Sequence, residues 1–187
     1  MTRPPTNVIG FDDAPFDRQG RGNVTLIGAV CARTRLDGVL RASVRRDGVN
    51  ATRRMMEMIQ TSPHAASVRA VLLQGIAVAG FNVVDIHELA HALTLPVIVI
   101  ARRRPDFEAI RRSLANLPGG ARRFRLIELA GPMERAGPVW VQRAGISLST
   151  AQEVVRLTTL HGHLPEALRL AHLIAGGITT GQSRGRA

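Results

Sequence analysis

Residues 71–104 read VLLQGIAVAGFNVVDIHELAHALTLPVIVIARRR, and this stretch decides the fold. Val71-Leu72-Leu73 is a short apolar run closed by Gln74-Gly75, and a Gly/Ala-rich bend follows through Gly80. Asn82 is a helix-capping residue type, and the apolar residues Val83, Val84, Ile86, Leu89, Ala90 and Leu93 after it recur at helical spacing. Leu95-Pro96 stops that helix. Val97-Ile98-Val99-Ile100-Ala101 is a continuous, mostly β-branched run, the pattern of a strand covered on both faces. A strand–helix–strand unit of this length predicts a right-handed crossover between parallel strands. Ligands of open α/β sheets bind beyond the carboxyl ends of such strands, so Gln74-Gly75 and Arg102-Arg103-Arg104 mark the expected functional edge.

Upstream, residues 1–7 form a polar lead, and Val8-Ile9-Gly10-Phe11 reads as a strand running into Asp12-Asp13 and the turn residues Ala14-Pro15. Two carboxylates at a strand end are poor strand formers, and hard cations such as Mg²⁺ take such oxygens. Residues 17–23 read as a loop and residues 24–33 as a second strand. Leu36-Asp37-Gly38-Val39 carries an Asp-Gly hairpin signal, and residues 39–45 read as a third strand. After the loop 46–50, with Asn50 as cap, a helix over 51–60 turns Met55, Met56 and Ile59 inward, as core filler.

Downstream, a helix is expected from about Arg104-Pro105-Asp106 to Asn116, ended by Leu117-Pro118-Gly119-Gly120. Residues 124–129 read as a strand, 130–138 as a loop, and 139–142 as another strand. A helix capped by Ser149 or Thr150 runs to Leu160, and Pro165 opens a last helix over 166–174. The expectation is a single α/β domain over residues 1–187. An antiparallel three-strand meander leads into parallel strands with flanking helices, the ordered core spans about 7–176, and residues 180–187 form a flexible basic tail.

Composition narrows the partners. The 25 basic residues are all arginine against 14 acidic ones, a net charge of +11. Guanidinium matches phosphate with a planar fork of donors, so an anionic polymer is the favoured partner. Between Arg102 and Arg125, only Asp106 and Glu108 offset the arginines 102, 103, 104, 111, 112, 122, 123 and 125. Phe and Trp amount to six residues and Tyr is absent, which disfavours a single-strand stacking platform and favours contact with a duplex backbone. Cys31 is the only cysteine, which excludes a disulfide framework and a cysteine zinc site. No 18-residue apolar run or signal core is present, so a cytoplasmic protein with no membrane partner is expected.

His87-Glu88-Leu89-Ala90-His91 matches the zinc-hydrolase helix pattern, with both imidazoles on one helix face and Glu88 beside them. It sits where a crossover helix must bury one face, and His91 is followed by Ala-Leu-Thr-Leu-Pro with no third histidine at the usual spacing. A zinc hydrolase is therefore the minor alternative.

Four stretches carry a resemblance. Gly10-Phe11-Asp12-Asp13-Ala14-Pro15-Phe16, the run from Gly75 to Ile86 containing AGFNVVDI, Pro96-Val97-Ile98-Val99, and the run from Pro165 to Ile174 resemble the endonuclease dU family over nearly the whole chain. More distantly, Ile146-Ser147-Leu148-Ser149-Thr150-Ala151 and Leu164-Pro165-Glu166 are similar to endonuclease V, whose fold is ribonuclease H-like. The resemblance implies a Mg²⁺- or Mn²⁺-dependent nuclease acting in repair on duplex DNA with deaminated bases such as uracil or hypoxanthine. By position it makes Asp12 the first-strand metal-binding aspartate and places Asp47 roughly where endonuclease V has its catalytic glutamate. It puts His172 near a late aspartate and makes Arg102 a nucleic-acid contact.

Gln74 departs from the pattern, because both families carry the second metal-binding aspartate there. The amide supplies an oxygen without a charge. Ala144-Gly145 replaces a His-Lys pair of endonuclease V, and Asp13 and Asp85 are the nearby carboxylates that can compensate. The expected site is thus Asp12, Asp47 and Gln74 for catalysis, and Asp12, Asp13, Gln74 and His172 for metal. Arg102, Arg103, Arg104, Arg111, Arg122 and Arg123 are expected to bind nucleic acid. A catalytically weakened nucleic-acid-binding member of the fold is the alternative, and Gln74 favours it.

Overall fold

The computed structural model of the protein describes residues 4–17 and 22–183. Strands β1 (Asn7–Asp13), β2 (Asn23–Ala32) and β3 (Arg35–Arg45) form the expected antiparallel meander, followed by α1 (Ala51–Gln60). The central unit comprises β4 (Ala70–Gln74), a two-strand ribbon of β5 (Ala77–Val78) and β6 (Asn82–Val83), α2 (Ile86–Leu93) and β7 (Val97–Ala101). Then come α3 (Phe107–Ala115), α4 (Gly120–Leu129), β8 (Glu134–Ala136), β9 (Val139–Ala144), α5 (Leu148–Thr158) and α6 (Glu166–Thr180). Among the described residues the main sheet has the order β3-β2-β1-β4-β7-β9-β8, with β1, β4 and β7 mutually parallel and the other neighbours antiparallel.

The apolar run of β7 divides as a two-faced strand must. Val97 and Val99 pack with Met55 and Ile59 of α1 and with Ile86 and Leu89 of α2, while Ile98 and Ile100 pack with α5 and α6. Burial of such side chains at about 1.5–3 kcal/mol each is what fixes the layers. Helices α3 and α4 form a smaller cluster with Val83 of β6 through Leu114 and Ile127. At Gly10 the backbone of α6 lies directly on the sheet, so that a Cβ there would stand 2.5 Å from the Ala167 carbonyl carbon.

Several expectations are corrected. Residues 124–129 belong to α4 rather than to a strand, with Arg123 and Ile127 facing inward one turn apart. Part of the expected loop 130–138 is β8, and α5 is capped by Ser147 rather than by Ser149 or Thr150. The hairpin between β2 and β3 turns at Arg33-Thr34, where Arg33 has φ 58°. Asp37 is instead an extra residue in β3, because Val30 pairs with Gly38 and Cys31 with Leu36. The Asp-Gly signal thus marks a bulge rather than a turn.

Helix α2 begins at Ile86, capped by Asp85, and Asn82 sits in β6. Asn82 does serve a helix, but an earlier one. It is fully buried, and its Oδ1 accepts from the N–H of Ala51 at 3.0 Å at the start of α1. The last helix continues to Thr180, beyond the expected Ile174. Cys31 is buried, as expected. Of the flexible-tail expectation, residues 184–187 lie outside the described residues, as do residues 18–21 of the expected loop and 1–3 of the lead.

Candidate active site

Because β1, β4 and β7 run parallel, their carboxyl ends bring Asp12-Asp13, Gln74-Gly75 and Arg102-Arg103-Arg104 to one edge of the sheet. Side chains alternate between faces along a strand. Phe11 packs into the α1/α2 layer, so Asp12 turns to the opposite face, toward α6. There Asp12 Oδ2 is 2.8 Å from His172 Nδ1, and Oδ1 accepts the Asp13 N–H at 3.0 Å. Burial raises the Asp12 carboxyl above the ordinary carboxylate range, and the hydrogen bond and charge of His172 pull it partly back.

Gln74 shares this face, two residues past Leu72 of the α5/α6 layer. The register pairs Phe11 with Leu73, which puts Asp12 and Gln74 at the next level of adjacent strands. Gln74 Oε1 is buried and, among the described residues, has no hydrogen-bond partner. An unpaired buried carbonyl oxygen costs about 1–3 kcal/mol.

Asp13 faces the other side. It lines a cleft of about 550 Å³ with Phe16, Arg46, Asp47, Phe81, Ser113 and others. Asp13 is therefore not gathered with Asp12, Gln74 and His172 as a single ligand set. Among the described residues no three His, Cys, Asp or Glu side chains come together to hold a metal ion.

Burial and the neighbouring Asp12 charge push the Asp13 carboxyl up to about 6, against the pull of a backbone hydrogen bond from Ala79 and the charge of His172. The ordinary value is 3.8, so the folded protein favours the protonated form. Stability from Asp13 is full below pH 3.8 and is lost as the pH rises through about 6. In metal-free buffer with chelator, Asp13→Asn is expected to raise unfolding free energy by about 1–2 kcal/mol at pH 7 and by almost nothing at pH 4. Denaturant titrations of both proteins at the two pH values check this, and equal differences at both would refute it.

Asp47 is tethered in the cleft through both its backbone and its carboxylate. It adopts a left-handed φ of 46°, a conformation uncommon outside glycine. Its N–H donates to the Ala79 carbonyl at 2.9 Å, Oδ1 accepts the Phe81 N–H at 2.8 Å, and Oδ2 lies 3.2 Å from Arg46 Nε. Arg123 grips its carbonyl from α4 and also reaches the Pro118 carbonyl at 3.1 Å. The Asn82 amide donates at 2.8 Å to the Arg45 carbonyl and at 2.8 Å to Asn50 Oδ1, at the two ends of the same loop. Gly80 lies against the Asp47 carboxylate, where a Cβ would collide with Oδ1.

Two expected residues therefore have other work. Arg123, 8% exposed, is a clamp on the Asp47 loop rather than a phosphate contact. Asp85 caps α2 by accepting from His87 N at 3.1 Å and Glu88 N at 2.9 Å, so it does not replace the missing aspartate. The partners of Asn82 and of Arg123 cannot be read from local sequence, since they lie 31 and 76 residues away. The remaining expected contacts, Arg102, Arg103, Arg104, Arg111 and Arg122, are exposed. His87, Glu88 and His91 are exposed on α2, and His87 Nε2 is 2.9 Å from the Leu129 carbonyl, so the zinc pattern gathers no metal set.

Known proteins agree with this architecture. The family model for endonuclease dU matches residues 4–179. A UPF0215 protein of Deinococcus radiodurans is 50% identical over 182 residues, 97% of this chain and 93% of that protein. A UPF0215 protein of Methanosarcina acetivorans is 43% identical, covering 99% of this chain and 96% of its own. The crystal structure of an Archaeoglobus fulgidus protein of unknown function superposes with a TM-score of 0.87 at 31% identity, covering 92% of this chain and 97% of that one. Endonuclease V of Ciona intestinalis, crystallised with a 24mer DNA containing an inosine followed by a ribo-adenosine, superposes with a TM-score of 0.60 at 13% identity. It covers 89% of this chain and 83% of that chain. That likeness identifies the mixed sheet as ribonuclease H-like. The chain belongs to the endonuclease dU family.

Proposed function

We propose that the protein is a metal-dependent endonuclease that hydrolyses phosphodiester bonds in DNA carrying deaminated bases, uracil or hypoxanthine, as a step of repair. The observation that carries the proposal is the buried Asp12 carboxylate at the same strand-end level as the partnerless Gln74 Oε1. Two hard oxygens, one charged and one with an unused lone pair, fit Mg²⁺ or Mn²⁺. Mg²⁺ keeps several waters and borrows phosphate oxygens, so it does not need three protein carboxylates or imidazoles. A divalent ion held there supplies activation of water and charge stabilisation on the leaving oxygen.

The chain's own residues do the rest. His172 orients Asp12 through Nδ1, an outer hydrogen bond that fixes the carboxylate's position. Asp47, held by its loop, and Asp13 present carboxylates to the cleft, whose Phe16 and Phe81 walls and Ser113 edge suit an extruded base. The exposed arginines 102, 103, 104, 111 and 122 supply phosphate contacts.

A second reading, binding without efficient cleavage, is favoured by Gln74 alone, because the site has one formal charge fewer than its relatives' pattern implies. Nicking of labelled duplexes with a single uracil or hypoxanthine, in Mg²⁺ or Mn²⁺, separates the two. The natural protein is expected to nick, and Gln74→Asp is expected to lower the half-saturating Mg²⁺ concentration by about tenfold or more. If only Gln74→Asp cuts, the binding reading holds. If neither cuts, the nuclease reading fails for these substrates.

A further inference from the structure

Most arginines with a resolved partner in this protein spend their N–H groups on carboxylates or carbonyls. Arg35, Arg53, Arg54, Arg143, Arg156 and Arg169 each hold an acidic side chain. Three exposed arginines differ: Arg111, 5.5 Å from the centroid of Phe124, and the pair Arg104 and Arg135. The pair is held by the ring of Trp140, with guanidinium carbons 5.6 Å and 4.9 Å from its centroid. Among the described residues neither guanidinium has a hydrogen-bond or ion-pair partner. Contact with an aromatic ring orients a guanidinium and leaves its five donors for another acceptor, whereas a carboxylate would consume them.

The platform is well anchored. Trp140 is half-buried in β9, paired with Ala101 at the end of β7 on one side and with Arg135 of β8 on the other. Strand β8 is fixed by the ion pair of Glu134 with Arg143 at 2.9 Å, and by Gln152 donating to the Arg135 carbonyl at 2.9 Å. Glu134, the nearest acidic neighbour in β8, is therefore already engaged.

The placement is informative as well. Trp140 lies at the same carboxyl edge as Asp12, three strand spacings away across β4 and β7, but its side chain is on the opposite face, because Val139 and Val141 on either side of it belong to the α5/α6 layer; Arg135, its partner in β8, lies four spacings away. At about 4.8 Å per spacing these are roughly 14 and 19 Å. One strand of a duplex carries a phosphate about every 3.4 Å along the axis, so the span equals roughly four to six nucleotides.

Resting on the nuclease reading above, we propose that Trp140 is a rail that presents Arg104 and Arg135 to the phosphates of duplex DNA, roughly four to six nucleotides from the bond cut at Asp12. Trp140 is a positioning residue here, and the two guanidiniums make the contact. The ligand is sugar-phosphate backbone, so the rail adds grip without reading base sequence.

The salt dependence of binding tests this. A 24-base-pair duplex with one central uracil is titrated by fluorescence anisotropy between about 50 and 300 mM KCl, and the slope of log affinity against log salt is read. Each phosphate contact contributes about 0.9 to that slope. Arg104→Ala/Arg135→Ala is expected to reduce it by about 2. Trp140→Leu keeps the net charge and is expected to reduce it by about 1. Arg156→Ala, which removes an arginine already paired with Glu153, is expected to leave it unchanged. On a duplex cut back to three base pairs on each side of the uracil, all four proteins are expected to give the same slope. If the natural protein binds the long duplex but the double variant keeps its slope with an unchanged melting temperature, the rail is overturned and the nuclease reading stands. A natural protein that binds neither duplex overturns both.

Discussion

Asp12→Asn is expected to lower the nicking rate by at least about a thousandfold, equivalent to roughly 4 kcal/mol of transition-state stabilisation, without lowering the melting temperature. The asymmetry follows from the site. In the folded protein Asp12 is a buried carboxyl whose charged form is disfavoured by its surroundings, and an amide of the same shape removes that cost. His172 Nδ1 at 2.8 Å still finds an oxygen at position 12. What disappears is, among the described residues, the only formal negative charge on this face of the strand ends, since Gln74 brings none and Asp13 points to the other face. Nicking assays on uracil duplexes and a thermal melt check the two halves separately. Retained cleavage would move the chemistry to the Asp13–Asp47 side of the sheet.

Gly10→Ala is expected to destabilise the protein by about 3 kcal/mol or more, lowering the melting temperature by roughly 6–12 °C. The added Cβ would stand 2.5 Å from the Ala167 carbonyl carbon and 2.7 Å from the Leu168 nitrogen. Both are backbone atoms of α6, so no side-chain rotation relieves the overlap and the helix itself must move. Because α6 carries His172, that displacement also pulls the imidazole from Asp12, and activity is expected to fall further than stability alone explains. Gly177→Ala, in the same helix with nothing within 4 Å of the new Cβ, is the control. It is expected to stabilise by about 0.5–1 kcal/mol through helix propensity. Calorimetry of both variants checks the pair.

The parts of this architecture that depend on periodicity were legible in the sequence. The β-branched run of β7 has one arrangement that buries both faces, and its boundaries follow from Pro96 and the arginines. The edge that gathers Asp12, Gln74 and Arg102 followed from the parallel unit. The opposite orientation of Asp12 and Asp13 is a consequence of the two-residue strand repeat.

Long-range polar contacts were not legible. Helix α4 hides its period because its inward face includes Arg123, a residue that a hydrophobic pattern counts as solvent-facing. That arginine is buried because it satisfies carbonyls of the Asp47 loop and of Pro118, contacts made only once the chain has folded. Asn82 carries a correct chemical signal, a side chain suited to helix caps, and the helix it serves lies 31 residues back. The Asp37-Gly38 pair marks irregular backbone, and the strand absorbs it as a bulge because the chain has already turned at Arg33.

The same bulge bears on what happens when many copies crowd together. A net charge of +11 favours accumulation on a polyanion, and crowding of that kind is the condition under which open sheet edges join. Strand β3 is the long outer edge of the sheet and exposes Leu36 and Val39. An extra residue at Asp37 breaks the even spacing that a second strand would need, and the exposed Arg41 and Arg45 place positive charge along the edge. The opposite edge, β8, is three residues long and offers too short a ladder to hold a stranger. Both margins thus weigh against edge-to-edge pairing of sheets wherever the basic surface crowds on a polyanion.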